Sequence, residues 1–456
     1  MNATSTCRLR VETGGEGVAA HVGLHCLGRF ADRLGLADLL SARIPVMTER
    51  LPVHDRGKVV VQAMLMMAGG GEACSDIERL RAQPALFGAV PSDSTLYRTF
   101  FQLNPTTVTG LWEAMTQART QVWSRAAATT GPAAVVLDID ASLHQIHSEN
   151  KELTGPTYKG GFGFHPVYCF ADATGETLAV RLRPGNAGAN NVVDLVGVLD
   201  TAIAGLPELV AVGHHVGDDP GLVAREVQVR SDSAAGRTFA LACRSRNVGF
   251  AVVARSNEEI HAAISRVAYD SAAWAPAVRQ DGQPRPGAAV IEVTGLVDLS
   301  DWPPGTRLII RREPLHPGAQ QSLFPSECYR YWGHYTDNAD VDPVEADRHM
   351  RAHAHVEDNI RRLKDSAASR FPFSDFDANS AWLAIVCMAD SLVRWFQQLC
   401  LTGPLAVAEP KTLRWSLWHT PARVVRRSRR RIVRILDRWP SAAILLEAYG
   451  RIELIT

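Results

Sequence analysis

The period of the hydrophobic pattern changes at Ala133, and that change limits the folds open to this chain. Before it, apolar residues recur at helical spacing in His25–Leu40 and Val59–Met67, after a short opening strand at Cys7–Glu12. After it, Ala133–Asp140 reads as a buried strand, and Val167–Ala171 with Glu176–Leu182 flank the turn signal Asp172-Ala173-Thr174-Gly175 as a hairpin. Val192, Val193, Leu195, Val196, Leu199 and Ile203 then fall on one helix. A strand at Val227–Arg230 ends at Asp232, followed by a helix over Ala234–Arg244 and a strand at Phe250–Ala254. Three strands, helix, strand, helix, strand predicts a mixed sheet covered by helices.

The flanking segments complete an α/β chain of five regions. Residues 1–130 are expected to be helical. Within them Ser92-Asp93-Ser94 caps a short helix carrying Arg98, which suits a helix-turn-helix reader of DNA and equally a plain bundle packed on the next domain. Arg125–Pro132, rich in Ala and Thr, reads as a linker to a core over 131–255. Residues 256–341 are rich in Pro, Gly and short β-like runs; a structureless loop of that length is improbable, so a β-rich inserted subdomain is expected. Helical signals over Pro343–Ser369 and Ala378–Leu401 would close the core within 342–402, leaving a basic helical region over 403–456.

Forty-eight basic residues balance 48 acidic ones, which argues against a uniformly basic nucleic-acid coat. The charge is nevertheless uneven: Arg423, Arg426, Arg427, Arg429, Arg430, Arg431, Arg434 and Arg438 face only Asp437. Read as an amphipathic helix over Arg423–Arg438, this run has a basic face suited to DNA phosphates, chiefly through Arg426, Arg427, Arg430 and Arg431; a membrane-surface helix or a solvated structural helix has similar composition. The eight cysteines contain no C-x-x-C pair, so neither a disulfide framework nor a structural zinc site is indicated. No run of about 18 uncharged apolar residues and no signal peptide is seen, and the cytoplasm is the expected compartment.

Chemistry concentrates on acids. Asp138 and Asp140 lie two apart on the first strand and share a face. Asp140 is the preferred ligand because it ends the strand, with Asp138 as an alternative first ligand or a supporting group. Asp232 ends a second strand. Glu357 falls on a helix whose stripe Val356, Ile360, Leu363 packs, while His353, Glu357, Arg361 and Lys364 form the neighbouring stripe. Carboxylates from two strand ends and a helix can hold two divalent ions about 3.5 to 4 Å apart, the arrangement of metal-dependent phosphodiester chemistry. Basic groups one and two turns from Glu357 suit phosphate. The histidines offer one helical pair at ligand spacing, His349 and His353, and no H-E-x-x-H, a weak case for zinc.

Together Leu137-Asp138-Ile139-Asp140-Ala141-Ser142, Leu182-Arg183-Pro184-Gly185-Asn186, Val229-Arg230-Ser231-Asp232-Ser233 and Val356-Glu357-Asp358-Asn359-Ile360-Arg361-Arg362-Leu363-Lys364 with Phe371-Pro372-Phe373 resemble bacterial insertion-sequence transposases of the DDE class. The chain is most similar to the insertion-sequence thirteen-eighty group, over nearly its whole length. The resemblance implies a ribonuclease H-like core interrupted by a β-rich insertion, a helical N-terminal DNA-binding region, and metal-dependent cleavage and joining of DNA at terminal inverted repeats by an oligomer, expected to be a homodimer. It assigns Asp140, Asp232 and Glu357 as catalytic metal ligands for two Mg²⁺ ions, with Mn²⁺ able to substitute. Lys364 matches the lysine of the Y-R-E-K signature, whereas Met350 and His353 stand where its tyrosine and arginine belong. Trp302 and Trp332, in the insertion, are candidates for stacking on a flipped base. A silent DNA-binding regulator and a nuclease without joining activity are the rival readings.

Overall fold

The structure, a computed structural model, describes residues 12–45, 53–126, 134–188, 190–233, 236–315, 328–428 and 430–455. The expected strand at Cys7–Glu12, save Glu12, and the expected linker beyond Ala126 lie outside those residues. Four longer helices open the chain: α1 (Val22–Arg33), α2 (Arg56–Ala68), α3 (Asp93–Gln102) and α4 (Pro105–Arg125). Asp55, Ser92 and Asn104 cap the last three by accepting from backbone N–H groups of the first turn.

From Val135 the chain builds a nine-stranded sheet. Its first five strands are β1 (Val135–Ala141), β2 (Val167–Ala171), β3 (Thr177–Arg181), β4 (Val227–Ser231) and β5 (Gly249–Ala254). The next four are β6 (Ala275–Val278), β7 (Pro284–Glu292), β8 (Arg307–Pro314) and β9 (Tyr329–Thr336). The spatial order is β6-β7-β8-β9-β5-β4-β1-β2-β3. β1 pairs antiparallel with β2 and parallel with β4, and β4 pairs parallel with β5. Helices α5 (Val192–Ala204) and α6 (Gly236–Arg244) supply the crossovers to β4 and β5.

The expected mixed sheet is therefore present, and the insertion extends it. β9 pairs antiparallel with β5, matching Gly333 to Ala254 and Thr336 to Ala251. The inserted strands thus continue the central sheet while keeping small apolar cores of their own, one around Trp274, Leu308 and Ile310 and under α7 (Glu258–Val267).

The helical segment after the insertion is divided into α8 (Pro343–Arg351), a short 3₁₀ turn and α9 (His355–Leu363). Regular helix stops at Ser366 and Ala367, the latter at φ +80°. Helix α10 (Phe376–Cys400) follows and has the length and apolarity to cross a membrane, but 83% of its most apolar window is buried inside the protein. It is a core helix. Phe30 and Phe100 of the opening helices pack edge-on and tilted against Phe396 and Trp382 of α10, so those helices share one core with the sheet. A buried carboxylate joins the same three layers: Glu176 accepts from Arg119 Nε at 2.7 Å, Trp123 Nε1 at 2.6 Å and Trp395 Nε1 at 2.8 Å.

One expectation is overturned. Arg423–Arg438 is not an amphipathic helix: Ala422–Arg427 (β10) and Arg430–Ile435 (β11) form an antiparallel hairpin, with Val18–Ala19 on its other edge. Val424, Val425, Ile432, Val433 and Ile435 favour extended backbone. Ser428, at φ +47°, takes the left-handed conformation of a tight hairpin turn. The expected helical C-terminal region retains helix on either side of it, in short helical turns over Pro410–Leu413 and Arg414–Trp418 before the hairpin and in α11 (Ala442–Glu453) after it.

Candidate active site

Parallel neighbours bring their C-terminal ends to the same edge of a sheet, where α/β folds place their ligands. β1 and β4 do so here. Asp140 sits at the end of β1 and Asp232 directly follows β4, so both carboxyl groups open into one cavity, near enough for the charge of one to act on the other. Burial, and then the negative charge of Asp232, push the Asp140 carboxyl up to about 7. Asp232 is held below its ordinary value, principally through its interaction with His353. Two carboxylates on one cavity wall, one of which resists ionising beside the other, form a site that a divalent cation would relieve.

Both acids line a cavity of about 240 Å³ whose wall also carries Trp332, His334, Arg311, Asp347, Arg351, His353 and Glu357. Glu357 is exposed on α9 and its carboxylate makes no hydrogen bond or ion pair among the described residues. It shares the cavity with the two aspartates without touching them; among the described residues no three His, Cys, Asp or Glu side chains stand close enough to hold an ion. Asp140 and Asp232 therefore fit an oxygen-liganded cation as a pair, and Glu357 has the free carboxylate to complete the set.

The floor under this pair is ionic. Register places Asp138 beside Arg230 across the parallel β1–β4 ladder. Arg230 donates from Nε at 2.8 Å and from Nη2 at 2.7 Å to the two Asp138 oxygens, and its Nη2 also meets Asp172 at 2.8 Å. His353 Nδ1 donates to Asp138 at 2.8 Å, and its Nε2 lies 3.9 Å from Asp232. Burial alone would raise the Asp138 pKa, yet the His353 and Arg230 contacts outweigh it and keep the group ionised. Burial likewise works against the His353 cation, and the hydrogen bond to Asp138 with the nearby Asp232 carboxylate lifts it to about 9. Asp138 is fully enclosed and committed to these partners, so of the two β1 aspartates only Asp140 opens to the cavity.

His353, expected on a DNA-facing stripe, is buried under the site instead. Lys364 Nζ donates to Ser142 Oγ at 2.8 Å and Leu143 O at 3.2 Å, tying the end of α9 to the loop after Asp140. Arg361 points away, to Asp358 and Glu409 at 3.1 Å each. Arg98 is exposed on α3. Trp302 packs on Tyr335 with ring centroids 4.0 Å apart, whereas Trp332 is 41% exposed at the cavity rim, with Arg311 and Arg330 over its ring. The sequence reading missed Arg311, Asp347 and Arg230. Their roles depend on how the strands and α8 are set against one another, which no local sequence pattern encodes.

A family model described as the transposase DDE domain, group 1, matches residues 1–456. No curated protein matches the chain. Among solved structures, the cryo-EM structure of a piggyBac transposase synaptic complex with hairpin DNA is similar at 12% identity and a TM-score of 0.39, covering 87% of this chain and 80% of that one. That likeness is too loose to argue from.

Proposed function

We propose, on the premise that this chain belongs to the group 1 transposase DDE domain family and is a DNA transposase, that Asp140, Asp232 and Glu357 are its catalytic carboxylates. The observation that carries the assignment is the placement of Asp140 and Asp232 at the ends of adjacent parallel strands, on the wall of one cavity that also holds Glu357. The order β3-β2-β1-β4-β5, with a meander of three strands and two parallel additions, supports a ribonuclease H-like core.

Asp140, Asp232 and Glu357 would hold two Mg²⁺ ions, or Mn²⁺, which when bound supply activation of water and stabilisation of the leaving oxygen. The chain's own residues set that site. Asp138, fixed by Arg230, holds His353 in place; His353 in turn braces Asp232. Lys364 fixes the Ser142 loop and so the end of β1. Trp332 stands partly exposed at the rim with Arg311 and Arg330 over its ring, an aromatic and cationic pair against which a nucleobase can stack. The substrate is double-stranded DNA at the element's terminal inverted repeats, cut and then joined to target DNA by a homodimer, as in a transposase of an element of the insertion-sequence thirteen-eighty group's kind.

The test is cleavage and joining of labelled element-end DNA with Mg²⁺ or EDTA, by the natural chain and by Asp232→Ala and Glu357→Ala. Metal-dependent nicks and joined products that both substitutions abolish are expected. Nicks without joined products would reduce the reading to a nuclease. Binding without cleavage under any divalent metal would overturn the catalytic assignment.

A further inference from the structure

The β10–β11 hairpin places arginine opposite arginine three times: Arg423 with Arg434, Arg426 with Arg431, and Arg427 with Arg430. Like charges directly opposite on a ladder destabilise it. All six side chains are exposed, and none has an ion-pair partner among the described residues. The hairpin is nevertheless well anchored by its other face. Ala422, Val424, Val433 and Ile435 pack with Ala19, Val22, Leu86 and Tyr449. Side chains alternate across a strand, so Arg423, Arg427, Arg430 and Arg434 share the opposite face with Val425 and Ile432. Packing therefore fixes a platform on which four uncompensated cations stand in two pairs.

The spacing of those pairs identifies what would neutralise them. Four residues separate Arg423 from Arg427, about 13 Å along an extended strand. The major groove of B-form DNA is about 12 Å wide and admits a two-stranded β-ribbon. We propose that this hairpin is a second DNA-binding element that straddles the major groove of a duplex, the Arg423–Arg434 pair on the phosphates of one strand and the Arg427–Arg430 pair on those of the other. Val425 and Ile432, between the pairs, face the groove. Phosphate contacts carry no base identity, so the element holds duplex DNA without regard to sequence. It fits target DNA, which enters without a fixed sequence, better than a defined terminal repeat. The inference does not rest on the roles given to the carboxylates.

The experiment measures binding of the full chain to a 30-base-pair duplex of arbitrary sequence, in EDTA, across 50–200 mM NaCl. Each neutralised phosphate contributes about −0.9 to the slope of log affinity against log salt. Arg423→Gln/Arg434→Gln and Arg427→Gln/Arg430→Gln should each make the slope shallower by about 1.8, equally at both ends. Arg427→Lys/Arg430→Lys should keep the natural slope. Melting temperatures in the absence of DNA should stay level or rise in the Gln variants, because repulsion has been removed. An unchanged slope in both folded Gln variants would overturn the proposal. So would loss of binding to phosphatidylserine vesicles with DNA binding intact, which would make the hairpin a membrane contact.

Discussion

Asp138 and Asp140 are two residues apart on one strand, yet the structure gives them opposite responses to loss of charge. Asp138→Asn removes the carboxylate that takes three hydrogen bonds from Arg230 and His353 in a fully buried setting. Breaking a buried ion pair costs about 3–5 kcal/mol. Arg230 keeps Asp172 at 2.8 Å and the His349 carbonyl at 2.9 Å, which places the cost at the low end, about 3 kcal/mol. With an unfolding entropy of about 2.1 cal/mol/K per residue, 456 residues unfolding together lose about 3 °C of melting temperature for that amount. Asp140→Asn has the reverse sign. The Asp140 carboxyl, raised to about 7, is destabilised by ionisation in the folded state, so above that pH a neutral amide relieves burial and the repulsion of Asp232. The melting temperature at pH 8 in EDTA should hold or rise, while cleavage is lost. Differential scanning fluorimetry of both variants decides it. A loss of several degrees in Asp140→Asn with none in Asp138→Asn would refute the division between buried brace and open ligand.

Three further outcomes follow from other contacts. Arg119→Ala strands the buried Glu176 carboxylate and should cost about 3–5 kcal/mol in calorimetric unfolding; Arg119→Lys should recover part of it. His144 donates from Nδ1 to the Ala368 carbonyl and accepts from the Tyr168 hydroxyl, and burial followed by the nearby Lys364 charge pushes its pKa down to about 3. Its unfolded form takes a proton first as pH falls below about 6.5, so stability drops by about 1.4 kcal/mol between pH 7.5 and 5.5 on its account, and His144→Gln should flatten that part of a pH-stability curve. Trp332→Ala should leave the melting temperature level and reduce cleavage of element-end DNA by about 5- to 150-fold, the range of one base–aromatic stack worth about 1–3 kcal/mol; Trp302→Ala, which removes the ring packed on Tyr335, should instead lower the melting temperature.

The sheet and the acids at its edge were legible because their signals are local. A strand that ends in an aspartate and a helix with one apolar stripe are written in adjacent residues, and Asp140, Asp232 and Glu357 do converge on one cavity. The bracing beneath them was not legible. That Asp138 meets Arg230 depends on the register between β1 and β4, 92 residues apart, and no sequence period encodes it. His353 carried helical spacing that put it beside Glu357, but whether that stripe meets solvent or carboxylates is decided by how α9 lies over the sheet. The arginine hairpin misled for a definite reason. Arginines at 423, 426, 427, 430, 431 and 434 satisfy helical spacing and cross-strand pairing alike. The β-branched residues between them were the discriminating signal. Trp302, in the loop before β8, packs on Tyr335, whereas Trp332, on β9, reaches the cavity rim.

The central claim is that Asp140, Asp232 and Glu357 together take divalent cations, and the direct measurement is Mn²⁺ stoichiometry by electron paramagnetic resonance on the protein bound to element-end DNA. Two bound ions per chain in the natural protein, falling to one or none in Asp140→Asn, Asp232→Ala and Glu357→Ala while DNA remains bound, is the predicted result. Undiminished Mn²⁺ binding in those three variants would contradict the assignment.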